Sequence, residues 1–270
     1  MIDANTSLFG LIGDPVAHSL SPLMHNQAFE ALGCNAVYLA FRVSDPRSTL
    51  KAIRALHMKG VSVTLPHKVS VIQYLDEIDE LAARIGAVNT IVNNNGKLVG
   101  YNTDCTGAVK ALGSRTSIAN KSVAIIGAGG AARAIGFGIT NAAGRLTVLN
   151  RTRTTGEQLA ADLQADFLPL ELFRPEQYEI LINTTPVGMY PKIDAMPIGK
   201  KDFFQESVVM DIVYNPLCTA FLRNAAAAGC RTISGVDMFV FQGAHQCELW
   251  TGRKAPVVVM RQAVLEALEG

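Results

Sequence analysis

The sequence predicts an α/β fold of two domains, in which strands of parallel sheets are covered by helices on both faces. Two observations predict this class. Short apolar runs alternate with helix-length segments along almost the whole chain, and the alternation starts again at Ser122 with a strand that runs into a glycine-rich turn. The 270 residues are 49% hydrophobic and 17% charged, which is enough apolar surface for a packed interior and excludes a disordered chain.

The first series of elements begins with a strand, a loop and a helix whose start is marked by Ser21 as N-cap and Pro22 as first helical residue. Asp45 followed by proline predicts a second helix, and a third is expected after Pro66. The turn over residues 93–96 joins two runs into a hairpin, which we place at the edge of this domain. The expected strands cover residues 8–12, 36–41, 61–64, 87–92 and 98–101.

The second series is expected to form strands over residues 123–126, 146–149, 180–182, 208–212 and 231–234, with a helix between Thr219 and Ala228. Two further helices are expected in the tail, over residues 238–250 and 256–268.

Charge and cysteine content narrow the classes of function. The net charge of +1 gives no field that would attract nucleic acid or an anionic membrane, so we expect a small-molecule partner. The five cysteines are scattered without a C-x-x-C spacing, which predicts buried thiols and no metal site. The N-terminus is acidic where a signal peptide is basic, and no run reaches about 18 apolar residues. We therefore expect a cytoplasmic protein.

A glycine-rich turn between a predicted strand and a predicted helix carries the clearest chemistry. Its residues are Gly127, Ala128, Gly129, Gly130 and Ala131. Glycines allow the backbone to approach a pyrophosphate, whose charge is then stabilised by the amides of the helix N-terminus. Dinucleotide binding is the favoured interpretation, and a tight turn without a ligand is the alternative.

The end of the next strand indicates which dinucleotide. Sites for NAD place an acid there, whereas this chain has Asn150, Arg151, Thr152 and Arg153. A guanidinium can pair with a 2′-phosphate and stack on adenine, which favours NADP. The alternative is an arginine that only faces solvent.

Polar residues in the first domain lie at predicted strand ends, where ligands of open α/β sheets collect. Ser21 could also be only a helix cap, Lys68 a solvated lysine, and Asp104 an N-cap for a helix beginning near Thr106. Together they would suit a polyhydroxylated acid. The set is Ser19, Ser21, Thr64, Lys68, Asn89, Asn102 and Asp104.

Motifs along essentially the whole chain resemble the shikimate dehydrogenase family. They are Gly13-Asp14-Pro15, His18-Ser19-Leu20-Ser21-Pro22, His25-Asn26, Val63-Thr64-Leu65-Pro66-His67-Lys68, Gly86-Ala87-Val88-Asn89-Thr90, Gly100-Tyr101-Asn102-Thr103-Asp104, the glycine turn, Asn150-Arg151-Thr152, Asn183-Thr184-Thr185-Pro186, Asp211-Ile212-Val213-Tyr214-Asn215-Pro216 and Gln242-Gly243-Ala244.

The resemblance implies an NADP-dependent interconversion of 3-dehydroshikimate and shikimate, on the route to aromatic amino acids. We expect a substrate domain over residues 1–105 and a Rossmann NADP domain over residues 106–236, and the resemblance implies that residues 237–270 return to the first domain. Lys68 and Asp104 would be catalytic. Ser19, Ser21, Thr64, Asn89, Tyr214 and Gln242 would bind substrate, and Thr184, Gly235 and Met238 would join the glycine turn and residues 150–153 in binding the cofactor.

Three positions depart from the family pattern: Thr155 replaces a second basic residue of the NADP loop, Asp237 replaces a glycine before Met238, and Ala220 replaces a proline. Two other functions stay open at this point. One is a quinate and shikimate dehydrogenase that uses NAD or both cofactors, and the other is a non-catalytic paralogue that binds NADPH or shikimate. The sequence also leaves a homodimer possible.

Overall fold

The computed structural model describes residues 2–269 and confirms the α/β class. Its contacts divide the chain into two compact units. One unit comprises residues 2–103 together with Val240–Leu268, and the other comprises Asp104–Phe239.

The first unit is built on a mixed six-stranded sheet. Its elements are β1 (Ser7–Gly13), α1 (Ser21–Ala31), β2 (Ala36–Arg42), α2 (Pro46–Ala55), β3 (Gly60–Val63), β4 (Glu77–Ile78), α3 (Glu80–Ile85), β5 (Thr90–Asn94) and β6 (Lys97–Tyr101). The strand order is β2-β1-β3-β5-β6-β4. β1 is parallel to β2 and β3, whereas β5 is antiparallel to both β3 and β6.

The predicted hairpin is present as β5 and β6. Asn95 and Gly96 both have positive φ, 54° and 97°, as a two-residue turn between twisted strands requires. The hairpin is not the last element of the sheet, because the two-residue strand β4 pairs with β6 beyond it.

Two helix N-caps were predicted, and the structure confirms one of them and not the other. Asp45 caps α2 as predicted, because its carboxylate accepts the backbone N–H groups of Arg47 and Ser48. The prediction that Ser21 is an N-cap is wrong. Leu20 is the N-cap of α1, and Ser21 is its first helical residue.

The predicted helix after Pro66 is also wrong. Residues 65–71 form successive turns, followed by a short 3-10 helix over Ile72–Tyr74. The carbonyl of Lys68 accepts the N–H of Val88 at 2.8 Å, and is therefore not used for a helical bond.

The second unit contains a six-stranded sheet in which every neighbouring pair is parallel. Its elements are β7 (Ser122–Ile126), α5 (Gly130–Asn141), β8 (Arg145–Asn150), α6 (Arg153–Leu163), β9 (Asp166–Pro169), β10 (Ile180–Asn183), β11 (Val208–Asp211), α7 (Ala220–Ala227) and β12 (Arg231–Ile233). The order β12-β11-β10-β7-β8-β9 is that of a Rossmann sheet, with the change of direction between β7 and β10.

The remaining helices of the described residues are α4 (Thr103–Gly113), α8 (Gly235–Thr251) and α9 (Val257–Glu269).

Strands β10 and β11 are buried at every residue, as expected for a parallel sheet covered on both faces.

Candidate active site

Several predicted substrate residues of the first unit lie where strands of its sheet begin or end, all on the same side of the sheet. Thr64 follows the carboxyl end of β3, and Asn89 precedes β5, which runs in the opposite direction. The N–H of Val63 donates to the carbonyl of Asn89 at 2.8 Å, so these two ends adjoin. A side chain at Gly13, the end of β1, would lie 2.3 Å from Thr64 Cγ2, so β1 ends on the same side.

Ser19 and Ser21 form a pair of hydroxyls before α1. Ser19 Oγ donates to Ser21 Oγ at 3.1 Å and accepts the backbone N–H of Ser21 at 3.2 Å. The Ser21 side chain makes no capping bond, and the capping explanation of this residue is therefore wrong. A carboxylate is a suitable ligand for two such donors at the start of a helix.

Lys68 lies in the turns over residues 65–71 and is half-buried. His67 holds these turns in place, since its buried ring nitrogen Nε2 contacts the carbonyl oxygen of Val43 at 2.7 Å. Together with the bond from Val88 to the Lys68 carbonyl, this contact fixes the backbone that carries the ammonium group.

Asn89 and Gln242 lie side by side, with Asn89 Nδ2 donating to Gln242 Oε1 at 3.4 Å. Asn89 Nδ2 also donates to Thr103 Oγ1 at 2.9 Å, and Asn89 Oδ1 accepts the Thr103 backbone N–H at 2.7 Å. The structure thus joins two predicted substrate residues and adds Thr103, which was not predicted.

Asp104 directly follows Thr103 and is only 5% exposed. Helix α4 begins at Thr103 rather than near Thr106, so Asp104 lies inside the first turn. The alternative that Asp104 is merely an N-cap is therefore wrong, and its burial needs another reason.

The glycine turn of the second unit fits a pyrophosphate. Gly127 has φ +116°, a conformation that favours glycine, and a side chain there would lie 2.7 Å from Thr184 Oγ1. A side chain at Gly129 would meet nothing within 4 Å, so the turn is open above it. Within the part of the chain that the structure describes, no side chain caps α5, and its first turn holds no acid. An open helix N-terminus of this kind is favourable for an anion.

Thr184 supports this turn from behind. Its hydroxyl donates to the carbonyl of Ile126 at 2.7 Å, and its backbone N–H donates to the same oxygen at 3.0 Å. Thr184 therefore orients the end of β7, in addition to any contact with a cofactor.

In the loop after β8, Arg151 is the cation best placed to bind a 2′-phosphate. Arg151 is exposed, and it makes no side-chain hydrogen bond or ion pair with the described residues. Arg153 instead pairs with Glu157 at 2.8 Å. Asn150 Nδ2 donates to Thr152 O and Thr155 Oγ1, both at 2.8 Å, and so shapes the loop. With no acid at the end of β8, this loop fits a 2′-phosphate.

The start of α8 holds the remaining predicted residues of the second unit. A side chain at Gly235 would lie 2.6 Å from the carbonyl of Val213, which requires glycine there. Met238 is buried, and Asp237 lies in the first turn of α8, where a carboxylate is favoured. Tyr214 stacks on Phe239 with ring centroids 4.4 Å apart.

Comparison with known proteins identifies the family. A model described as the shikimate dehydrogenase substrate binding domain matches residues 11–91, and one described as the shikimate 5'-dehydrogenase C-terminal domain matches residues 235–265. The NADP(+) shikimate dehydrogenase of Methanococcus maripaludis strain C6 is 45% identical, over 98% of each chain. The chain belongs to the shikimate dehydrogenase family.

Solved structures of this family agree in fold. A shikimate dehydrogenase in complex with NADP+ has a TM-score of 0.96 at 40% identity, and the match covers 99% of this chain and 98% of that one. The Thermus thermophilus enzyme in complex with NADP(H) and shikimate has a TM-score of 0.91 at 37% identity, covering 97% of this chain and 100% of that one.

Residues 2–269 contain neither a cluster of metal ligands nor a membrane-spanning helix. No three His, Cys, Asp or Glu side chains come together as metal ligands. Within the same residues, no helix has the length and apolar character needed to cross a membrane.

Proposed function

We propose that this protein is an NADP-dependent oxidoreductase that interconverts 3-dehydroshikimate and shikimate in aromatic amino acid biosynthesis. The family membership supports the reaction, and the exposed Arg151 after β8 supports the cofactor. The observation that carries the proposal is the group formed by Asn89, Thr103 and Gln242 at a sheet edge, because it offers amide and hydroxyl partners for a ring bearing several hydroxyls.

We assign substrate binding to eight residues. Ser19 and Ser21 would bind the substrate carboxylate with Tyr214. Thr64, Asn89 and Gln242 would bind the ring hydroxyls, together with Lys68 and Asp104. The domain over residues 1–105 with 237–270 would hold the substrate, and the domain over 106–236 would hold the dinucleotide.

Lys68 and Asp104 are assigned the proton chemistry. When bound, NADPH would be the source of the hydride that reduces the ketone carbon. The alkoxide that results needs a proton, and the ammonium of Lys68 can provide it while stabilising the negative charge. A carboxylate at Asp104 would orient that ammonium and keep it charged.

The test measures reduced nicotinamide formed from shikimate or quinate with NADP+ or NAD+. We expect shikimate with NADP+ to be the best pair. Better turnover with quinate, or with NAD+, would favour the quinate alternative. No turnover with any pair, accompanied by NADPH binding, would favour the non-catalytic alternative and overturn the proposal.

Lys68→Ala should fold and bind NADPH yet lose about 100-fold or more in kcat, since it removes proton transfer and charge stabilisation. Asp104→Asn should also lower kcat. Lys59→Ala is the matched control, because Lys59 precedes the opposite end of the same strand β3 and is exposed. Parental kcat in Lys68→Ala would remove this lysine from the mechanism.

We also propose a cytoplasmic location and, as an assembly, a homodimer. The location is supported by the five cysteines, none of which forms a disulfide within residues 2–269. Sedimentation of the purified protein tests the assembly, and a single monomeric species would exclude the dimer.

A further inference from the structure

A chain of buried hydrogen bonds runs through the first unit behind Asn89. It links α1, β2, β3 and β5 to α8. Its members other than Asn89 lie outside the groups assigned to substrate, and each is at most 5% exposed: His25, Tyr38, Ser62, Thr90 and Gln246.

Gln246 is the centre of this chain, and all four hydrogen-bonding positions of its carboxamide are used. Nε2 donates to the backbone carbonyl of Asn89 at 3.2 Å and to Thr90 Oγ1 at 3.0 Å. Oε1 accepts from Ser62 Oγ at 2.9 Å and contacts His25 Nε2 at 3.2 Å. A carbonyl oxygen can only accept, so the contact with Asn89 fixes which end of the amide is nitrogen.

This orientation determines the proton positions around it. Since Gln246 Oε1 is an acceptor, the Ser62 hydroxyl donates to it and accepts from the Tyr38 hydroxyl at 2.6 Å. His25 must carry its proton on Nε2. Its other ring nitrogen, Nδ1, has no hydrogen-bond partner among residues 2–269. Burial lowers the pKa of His25 to about 4, so the ring stays neutral.

At the end of this chain nearest the candidate site, Thr90 links the oriented amide of Gln246 to the side chain of Asn89. The Thr90 hydroxyl accepts from Gln246, so its own proton is directed to Asn89 Oδ1 at 2.8 Å. Asn89 Oδ1 also accepts the N–H of Thr103, and Nδ2 is left as the donating end of the amide.

We propose that Thr90 and Gln246 are positioning residues, which keep Asn89 Nδ2 as the donating end of the side chain. One of its two N–H groups donates to Thr103 Oγ1 at 2.9 Å, and the other, which reaches Gln242 Oε1 only at 3.4 Å, is the donor that an oxygen of the substrate ring would take over. This role rests on the proposed function, because it requires Asn89 to bind the substrate. A cross-strand pairing supports it, since Thr90 lies opposite Ser62 and Gln246 bonds to both.

The experiment is a kinetic comparison of Thr90→Val, Thr90→Ser and the parent with shikimate and NADP+. Valine keeps the shape of threonine and removes the hydroxyl, whereas serine keeps the hydroxyl. We expect Thr90→Val to raise the KM for shikimate about tenfold, with kcat and the KM for NADP+ within about twofold of the parent. Thr90→Ser should restore the parental KM.

Trp250→Phe is the matched structural control. Trp250 lies one turn further along α8, and its Nε1 donates to the carbonyl of Ile91 on β5 at 3.1 Å. This variant should lower Tm and leave the kinetic constants at parental values. A role of Thr90 in stability alone would give Thr90→Val the same profile and would overturn the proposal.

The remaining outcomes are also decisive. An unchanged KM in Thr90→Val, or a raised KM in Thr90→Ser, would refute positioning through the hydroxyl. If Thr90→Val does not fold, Thr90→Cys takes its place, because a thiol is only a weak donor, and its KM must still rise. A parent without shikimate oxidation would overturn the proposed function first and this role with it.

Discussion

The buried carboxylate of Asp211 predicts how the stability of the protein depends on pH. This carboxylate is fully buried at the end of β11. Oδ1 accepts from Asn183 Nδ2 at 2.9 Å and from the N–H of Val213 at 3.1 Å, and Oδ2 accepts from the Thr219 hydroxyl at 2.7 Å. Burial raises the pKa of Asp211 to about 6, against the opposing effect of these three hydrogen bonds.

The sign of the effect on stability follows from this pKa. The folded protein holds the Asp211 proton more tightly than the unfolded chain, whose pKa is near 3.8. The contribution of Asp211 to the free energy of unfolding therefore falls as pH rises from about 4 to about 6. Above that range, the contribution no longer changes with pH. The shift of about two pKa units corresponds to about 3 kcal/mol, of which about 2 kcal/mol is lost between about pH 4.5 and 7.5.

The assay compares hydrogen exchange of the β11 amides in the parent and in Asp211→Asn at each pH. Intrinsic exchange rates cancel in this comparison, as do the contributions of Asp162 and Glu179, whose pKa values are lowered by Arg133 and Lys121. Between about pH 4.5 and 7.5, the protection of the parent relative to the variant should fall about 30-fold. A ratio that does not change with pH would refute the reasoning, whatever constant offset the substitution causes.

Two further predictions concern the ligands. Arg151→Ala should reduce the preference for NADP+ over NAD+, measured as a ratio of kcat/KM values, by about tenfold to 100-fold, because a charge-assisted contact is lost. Arg153→Ala should reduce it less, since Glu157 already pairs with Arg153, and equal effects would place the discrimination elsewhere in the loop. Ser21→Ala should raise the KM for shikimate more than it lowers kcat and should leave Tm nearly unchanged, because Ser21 is not a cap. A lower Tm with unchanged KM would reverse that assignment.

Elements fixed by neighbouring residues were predictable from the sequence. Gly127 must adopt a positive φ between β7 and α5, and only a local pattern of strand, glycines and helix is needed to see it. Asp45 caps α2 through N–H groups two and three residues away. In both cases, the interacting groups are adjacent in the chain, so the residue types carry the information.

Elements decided by distant contacts were not predictable. The segment after Pro66 has a helical start signal, but Val88 takes the Lys68 carbonyl that a helix would use. Strand β9 was missed because its residues are only partly buried at the sheet edge, which gives no continuous apolar run. Helix α4 begins at Thr103, before the predicted start, and Asn89 Oδ1 accepts the N–H of this first residue.

The buried chain behind Asn89 shows the same limit within the candidate site. Gln246 contacts Ser62, Thr90 and His25 across 184, 156 and 221 residues of sequence, so no spacing rule reveals the contacts. The one local signal is that Gln242 and Gln246 are four residues apart on α8 and therefore share a face. Both glutamines bond to the β5 end of the sheet, Gln242 through the Asn89 side chain and Gln246 through the Asn89 backbone. A second glutamine one helical turn from a predicted ligand residue is thus a reason to look for a group that holds the ligand residue in place.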